Sequence, residues 1–292
     1  MTRTLLDTAP RMSVLARFSQ QLATLITDVG KEGFPAKLVA TIRSVVPVDD
    51  ATIVVYPDTD LPVLEYFEVP EEAGQSTLGV FLQGAFLLDP FYLAAAEERR
   101  FGLFRLRDLA PTGFRESEYY RSWYRSCGYQ DECGFLLPFG EEGFINIALG
   151  KTGARASFTR RQLDTLSAVY PVIETLCQQH WTPDTSEPAG VNLRAQLHDA
   201  LQGFGRSLLT DREAQVINLV LHGHSTKTMA DKLSISVETV KLHRKHAYAK
   251  LEVSSQAELF YLFLDALMSA KGYSGGDTLV SYMQAPARER SA

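Results

Sequence analysis

The chain has 292 residues, of which 45% are hydrophobic and 22% charged, and a formal net charge of −6. These proportions are those of a globular protein of roughly two domains and exclude a collagenous, coiled-coil or wholly disordered chain. The longest apolar run, 79–88, is interrupted by Gln83 and falls short of the ~20 residues that a membrane span needs.

Arg3, Asp7, Arg11 and Arg17 interrupt the first apolar stretch. An uncharged secretory core is therefore not read there, and the expected location is the cytoplasm. Helix-period patterning follows near 11–28, 35–46, 76–99, 116–127 and 159–180. Between these stretches lie short runs rich in β-branched and aromatic residues: 51–56 (ATIVVY), 63–69 (VLEYFEV), 134–139 (GFLLPF) and 144–149 (FINIAL). The last two predict a hairpin closed by Gly140-Glu141-Glu142-Gly143. The expected fold of residues 1–181 is α+β, a mainly antiparallel sheet flanked by helices. Residues 182–192 (TPDTSEPAGVN) read as a linker, and Leu193, Leu197, Leu201 and Phe204 add a connecting amphipathic helix up to 205.

Beyond it the signals are all helical. Thr210-x-x-Glu213 and Ser255-x-x-Glu258 fit the capping box, Ser225 and Ser236 are N-cap residues, and Gly223 stands where a helix should stop. Val216, Ile217, Val220 and Leu221, then Met229, Ala230 and Leu233, then Val237, Val240, Ala247 and Leu251 predict one core shared by three short helices. The third helix turns Lys241, Arg244, Lys245 and Tyr248 away from that core, as a helix presented to a DNA major groove would. The charge balance permits this: residues 1–180 hold 17 basic against 23 acidic side chains, and residues 181–292 hold 12 of each. Charges on a helix ordinarily only solvate an exposed face, and what argues for more is the whole motif standing in register. Leu259, Leu262 and Ala266 line one side of a fourth helix, and Phe260, Phe263, Leu264 and Leu267 line another. The second side predicts either a two-fold mate or packing against the first domain or the upstream helix. Residues 271–292, with Gly275-Gly276, are expected to be a flexible tail.

The segment 209–259 resembles the DNA-binding domain of the LuxR family of bacterial transcription regulators. The matching residues are Leu209-Thr210-x-Arg212-Glu213, Gly223, Ser225, Lys227, Ala230, Leu233, Ile235-Ser236, Thr239-Val240-Lys241, His243 and Lys250-Leu251. Met229 replaces the usual isoleucine, and Gln256 a common arginine, which removes one expected phosphate contact. The resemblance implies a four-helix helix-turn-helix domain at 206–270. It places Lys241, Leu242 and Lys245 on base edges and Ser225, Thr226, Lys227, Thr239 and His243 near phosphates. Glu238 at the helix start suits a cytosine amine, and Val237, Arg244 and Tyr248 complete the expected DNA face. The implied partners are double-stranded DNA, a second copy of the chain, a small-molecule ligand and RNA polymerase. No membrane, cofactor or metal is expected.

Residues 1–181 resemble, more loosely, a GAF/PAS-type or autoinducer-like sensor domain. A phosphorylated receiver is disfavoured, because Asp49-Asp50 precede the first strand rather than follow it. Asp89-Pro90 matches a pair found in acyl-homoserine-lactone sensors, but their Trp-x-x-x-Tyr is missing. Tyr66, Phe67, Phe81, Phe91, Tyr92, Trp123 and Tyr124, with Phe86, Tyr119 and Tyr120, predict an apolar pocket or simply a core, and Asp131 and Glu132 a site for a cationic group or a solvated strand entrance.

Enzymatic readings fail on spacing. Gly150-Lys151-Thr152 ends no P-loop, since position 145 is Ile145 where glycine is required. Cys127, Cys133 and Cys177 form no C-x-x-C pair, and no histidine precedes His180 to serve a thiol nucleophile. His222, His224, His243 and His246 make no metal-ligand set. The expected function is a ligand- or partner-controlled transcription regulator. The alternative is a ligand-binding or catalytic protein whose helical domain mediates protein contacts.

Overall fold

The computed structural model describes residues 12–58, 60–68, 81–82, 84–154, 156–182, 193–269 and 276–284. Most of the expected linker, part of the helix read at 76–99 and parts of the tail lie outside them.

Two helices, α1 (Val14–Ile26) and α2 (Phe34–Arg43), lead into β1 (Asp50–Tyr56) and β2 (Val63–Phe67). Then come α3 (Pro90–Ala96), β3 (Gly102–Arg105), α4 (Leu106–Leu109), α5 (Glu118–Ser122), β4 (Asp131–Phe139), β5 (Gly143–Lys151) and the long α6 (Arg160–His180). The five strands pair antiparallel in the order β2-β1-β5-β4-β3. Strand β3 was not expected. Its four residues, Gly-Leu-Phe-Arg, are too few to show a period, and pairing with β4 is what makes them a strand. The β4–β5 hairpin pairs Phe139 with Gly143, and the Asp58 carboxylate accepts from the turn's N–H groups at Glu141, Glu142 and Gly143.

Both faces of the sheet are buried, so its strands read as nearly continuous apolar runs rather than alternating ones. One face carries Ala51, Ile53, Val55, Cys133, Phe135, Leu137, Ile145, Ile147 and Leu149, and α1, α2 and α6 cover it with Leu25, Leu38, Ile42, Leu166 and Ile173. Helix α6 starts at a complete capping box between Thr159 and Gln162 and ends with His180 stacked on Phe34, centroids 4.0 Å apart. The opposite face carries Val54, Tyr56, Leu136 and Phe144 under Phe86, Phe91 and Tyr92. That second core does not stop at the domain edge. It continues into the helical region through Phe204, Val216, Leu259, Phe263 and Leu267.

The helical region comprises α7 (Leu193–Gly203), α8 (Asp211–Leu221), α9 (Thr226–Leu233), α10 (Val237–Lys250), α11 (Gln256–Met268) and α12 (Thr278–Gln284). Thr210, Ser225, Ser236 and Ser255 each cap the helix that the sequence assigned to them. At Ser255 the box is shifted: Glu258 accepts from the backbone and hydroxyl of Ser254, one residue upstream.

One expectation needs correction. The tail is structured over 276–284, where Leu279 is fully buried and the Asp277 carboxylate accepts from the backbone N–H groups of Gly205, Ser207 and Leu279. Of the two alternatives for the second side of α11, the structure shows packing within the chain, while Tyr261 and Met268 on the same helix stay exposed. Leu259, Phe260, Phe263, Leu264, Ala266 and Leu267 are all buried within one chain, where α11 packs on α7, α8, α12 and α5. Leu267 lies against Gly84 of the α+β domain, so close that a Cβ at Gly84 would stand 2.4 Å from it.

Candidate nucleic-acid interface

Helices α8, α9 and α10 close on Val216, Ile217, Val220, Met229, Ala230, Val240 and Ala247, all buried. The turn between α9 and α10 is tight. Ser234 takes a left-handed conformation at φ 54°, and the Ile235 N–H reaches back 3.0 Å to the Ala230 carbonyl. Glu213, paired within the α8 cap, also receives Lys250 at 2.6 Å and so ties the end of α10 to the start of α8. Burial would raise the Glu213 carboxyl, but Lys250 and Thr210 hold it below the usual carboxylate range.

This scaffold leaves one face of α10 open. Glu238, Lys241, Leu242 and Lys245 are exposed, and Leu242 keeps half its surface accessible although it is apolar. Val237, expected in both the core and the DNA face, is exposed. Lys241 donates to Glu238 at 2.8 Å; a surface pair of this kind is weak, so the ammonium can be given up to another acceptor. Lys227 is exposed on α9, and Thr226, Thr239 and His243 are half-buried beside it and along α10. Arg244 and Tyr248 are also half-buried, and Glu118 of α5 lies near enough to Tyr248 to raise its phenol, behind burial as the main cause.

The α9 N-terminus is already engaged. The Ser225 hydroxyl accepts from the Thr228 N–H at 3.2 Å and from the Thr112 hydroxyl of the α+β domain at 3.1 Å. Thr112 and Thr228 hydroxyls lie 2.6 Å apart. Next to Thr112, a Cβ added to Gly113 would stand 2.6 Å from the Gly223 carbonyl and 2.8 Å from the Ser225 nitrogen, both backbone atoms. His224 sits in this seam with its Nδ1 buried and unpartnered, and burial, with Lys232 and His222, pushes its pKa down to about 4. Thr112 and Gly113 carry no signal in the sequence, because nothing local marks a loop that docks on residues more than a hundred positions later.

The expected pocket residues separate. Tyr66 packs on the α6 side of the sheet and donates to Glu68, whereas Phe67 packs on the other side, because neighbours in a strand point opposite ways. Phe81 stacks on Trp123 at 4.9 Å, and Phe91 and Tyr92 are buried among Phe86, Tyr56 and Phe144. Asp131 is committed to Arg105 at 2.6 Å, to the Ser157 hydroxyl and to the Phe158 N–H. A cavity of about 470 Å³ remains beneath the 105–116 segment, with Tyr120, Tyr124, Tyr129 and Glu132 in its lining.

Residues 207–263 match the family described as bacterial regulatory proteins, luxR family. A protein of Aeromonas salmonicida named as an HTH-type transcriptional regulator in the exeN 3′ region is 35% identical over 189 residues, 62% of this chain and 96% of that protein. The oxygen regulatory protein NreC of Staphylococcus haemolyticus is 38% identical over 52 residues, 18% of this chain and 24% of NreC. Among solved structures, the VqsR LBD domain of Pseudomonas aeruginosa superposes with a TM-score of 0.50 at 24% identity, over 56% of this chain and 95% of that one, a likeness of fold. The family match and the Aeromonas relative, with the exposed helix, define a helix-turn-helix transcription regulator. The chain belongs to the luxR family of bacterial regulatory proteins.

Proposed function

We propose that the protein reads DNA with α10 and that its α+β domain, by docking on α9, controls when it does so. Lys241 and Lys245 donate to guanine O6 or N7, Leu242 meets a thymine methyl, and Glu238 accepts from a cytosine amine. Ser225, Thr226, Lys227, Thr239 and His243 contact phosphates, with the α9 N-terminus adding its dipole. The observation that carries the reading is the shared hydroxyl: a phosphate arriving at Ser225 must displace Thr112. A signal in the α+β domain then acts as a linked equilibrium between docked and released helices. The working form is a cytoplasmic homodimer that sets two copies of α10 on half-sites about one DNA turn apart. Its pairing surface is not the buried side of α11. Among the described residues no helix is long and apolar enough to cross a membrane.

Selection of bound duplexes from a random pool tests the reading, followed by titration of the winner against wild type and Lys241→Ala/Lys245→Ala across a salt series. A two-fold-related sequence that the double variant no longer prefers is the expected result. Equal preference by a folded double variant would contradict it.

A further inference from the structure

Three carboxylates, Asp89, Asp50 and Glu132, lie on the side of the sheet that faces α5, the first two near enough for Glu132 to feel their charge, and each has a tyrosine near it. Asp89 is satisfied: it accepts from the Tyr119 hydroxyl at 2.5 Å and from the backbone N–H groups of Phe91 and Tyr92. Asp50 accepts from the Tyr129 hydroxyl. Glu132 is only 5% exposed; the Tyr124 hydroxyl favours its charged form, but its Oε2 has no hydrogen-bond partner. A buried carboxyl oxygen without a donor is costly when the group is charged, so it calls for a proton or a cation. The neighbouring basic side chains do not supply that cation. Arg105 lines the same cavity as Glu132, but its guanidinium is held there by Asp131 and Ser157. Lys151 is held by Gln162 and by the face of Phe158. Arg107 and Arg115 are exposed at the mouth, with Glu116 beside them.

Glu132 lines the cavity of about 470 Å³, a volume suited to a small organic molecule. Its wall there is aromatic: Tyr120 stacks on Tyr124 at 5.5 Å, and Tyr129 meets Tyr124 edge-on at 6.0 Å. Rings around a buried acceptor favour a cation that carries N–H donors and apolar bulk. We infer that this cavity binds a small organic ammonium ion, its nitrogen on Glu132 Oε2 and its carbon skeleton among Tyr120, Tyr124 and Tyr129. Among the described residues no three His, Cys, Asp or Glu side chains are placed to hold a metal ion instead.

Two consequences follow from the surroundings. Burial, with Asp89, Asp50 and Asp131 adding to it and Tyr124 opposing it, pushes Glu132 up to about 8, so at neutral pH the empty site holds a proton. An arriving ammonium displaces that proton to the buffer, and affinity rises with pH until Glu132 is ionised. The roof of the cavity, Ala110 to Glu116, is also the segment whose Thr112 and Gly113 meet α9. A ligand there would shift the docking equilibrium; that step rests on the regulator reading, whereas binding itself does not.

Calorimetric titration of the full chain with tyramine, phenethylamine and choline, and with N-acetyltyramine as the neutral counterpart, tests the site without DNA. At least one amine should bind and release a proton, seen as a buffer-dependent heat. Binding of that amine should weaken by roughly tenfold or more in Glu132→Gln, and N-acetyltyramine should bind wild type that much more weakly than tyramine if tyramine is the ligand. Unchanged thermal unfolding of Glu132→Gln keeps the comparison valid. No heat with any of the three amines, or binding indifferent both to the charge and to Glu132, would overturn the inference. DNA selection by the same preparation is scored separately, so a failed titration leaves the regulator reading intact.

Discussion

The two faces of the sheet differ in what they are bound to. On the α6 side, Ile53, Phe135, Ile145 and Leu38 close a core from residues of the α+β domain alone. On the other side, Val54, Leu136 and Phe144 belong to a core that runs on through α11 and the helix-turn-helix. One face therefore holds a domain together, and the other joins it to its neighbour. A disturbance under the second face has a path to the DNA-reading helices that a disturbance under the first does not have.

The largest effect expected from breaking this contrast is Phe135→Ala. It should cost about 3–5 kcal/mol of stability through the lost burial and the cavity left behind. Urea unfolding followed by Trp181, which packs edge-on to Phe34 on this side, reports it directly. Asp277→Ala should cost about 2–3 kcal/mol, because three backbone N–H groups lose a charged acceptor between α7 and α12. Its unfolding midpoint should fall while the α+β contacts at Trp181 persist.

The pH dependence is smaller and has a fixed sign. His224 is held down at about 4 in the seam against an ordinary value of 6.5, so the unfolded or undocked chain takes up the proton first. The docked, folded form therefore loses stability as pH falls from 6.5 towards 4 and holds its full contribution above that window. His222 and His180 are lowered by burial too and act in the same direction. Replacing His224 with Gln should flatten the slope of stability against pH over that range. Smallest of all, Glu238→Gln removes an exposed pair with Lys241 and should change stability by no more than about 1 kcal/mol, with a gain in affinity for non-specific DNA as a negative charge leaves the DNA face and a weaker preference for cytosine at its base pair.

Local chemistry was legible in the sequence and tertiary chemistry was not. Thr210, Ser225, Ser236 and Ser255 announced their helices because a cap acts within three residues. The hairpin of β4 and β5 was legible for a similar reason. For α11 the sequence left a mate and packing on the first domain open, because the surfaces that cover it, Gly84 and α5, lie far away in the chain. Tyr66 and Phe67 were grouped by aromatic density, and only the strand period separates them. Asp131 and Glu132 look alike as neighbours, yet one turns to Arg105 and the other into the cavity with an oxygen unpaired. Leu279 entered the core through a tail whose glycines had spoken for disorder.

Gly113→Ala tests the central claim most directly. Gly113 has a φ of −100°, which alanine adopts without strain, so its missing Cβ matters only for the approach of Gly223 and Ser225 across the seam. Fluorescence anisotropy on the selected duplex should show the variant binding several-fold more tightly than wild type, with unchanged sequence preference and an intact α+β fold. Equal or weaker binding by the folded variant would mean that docking at Ser225 does not restrain DNA reading.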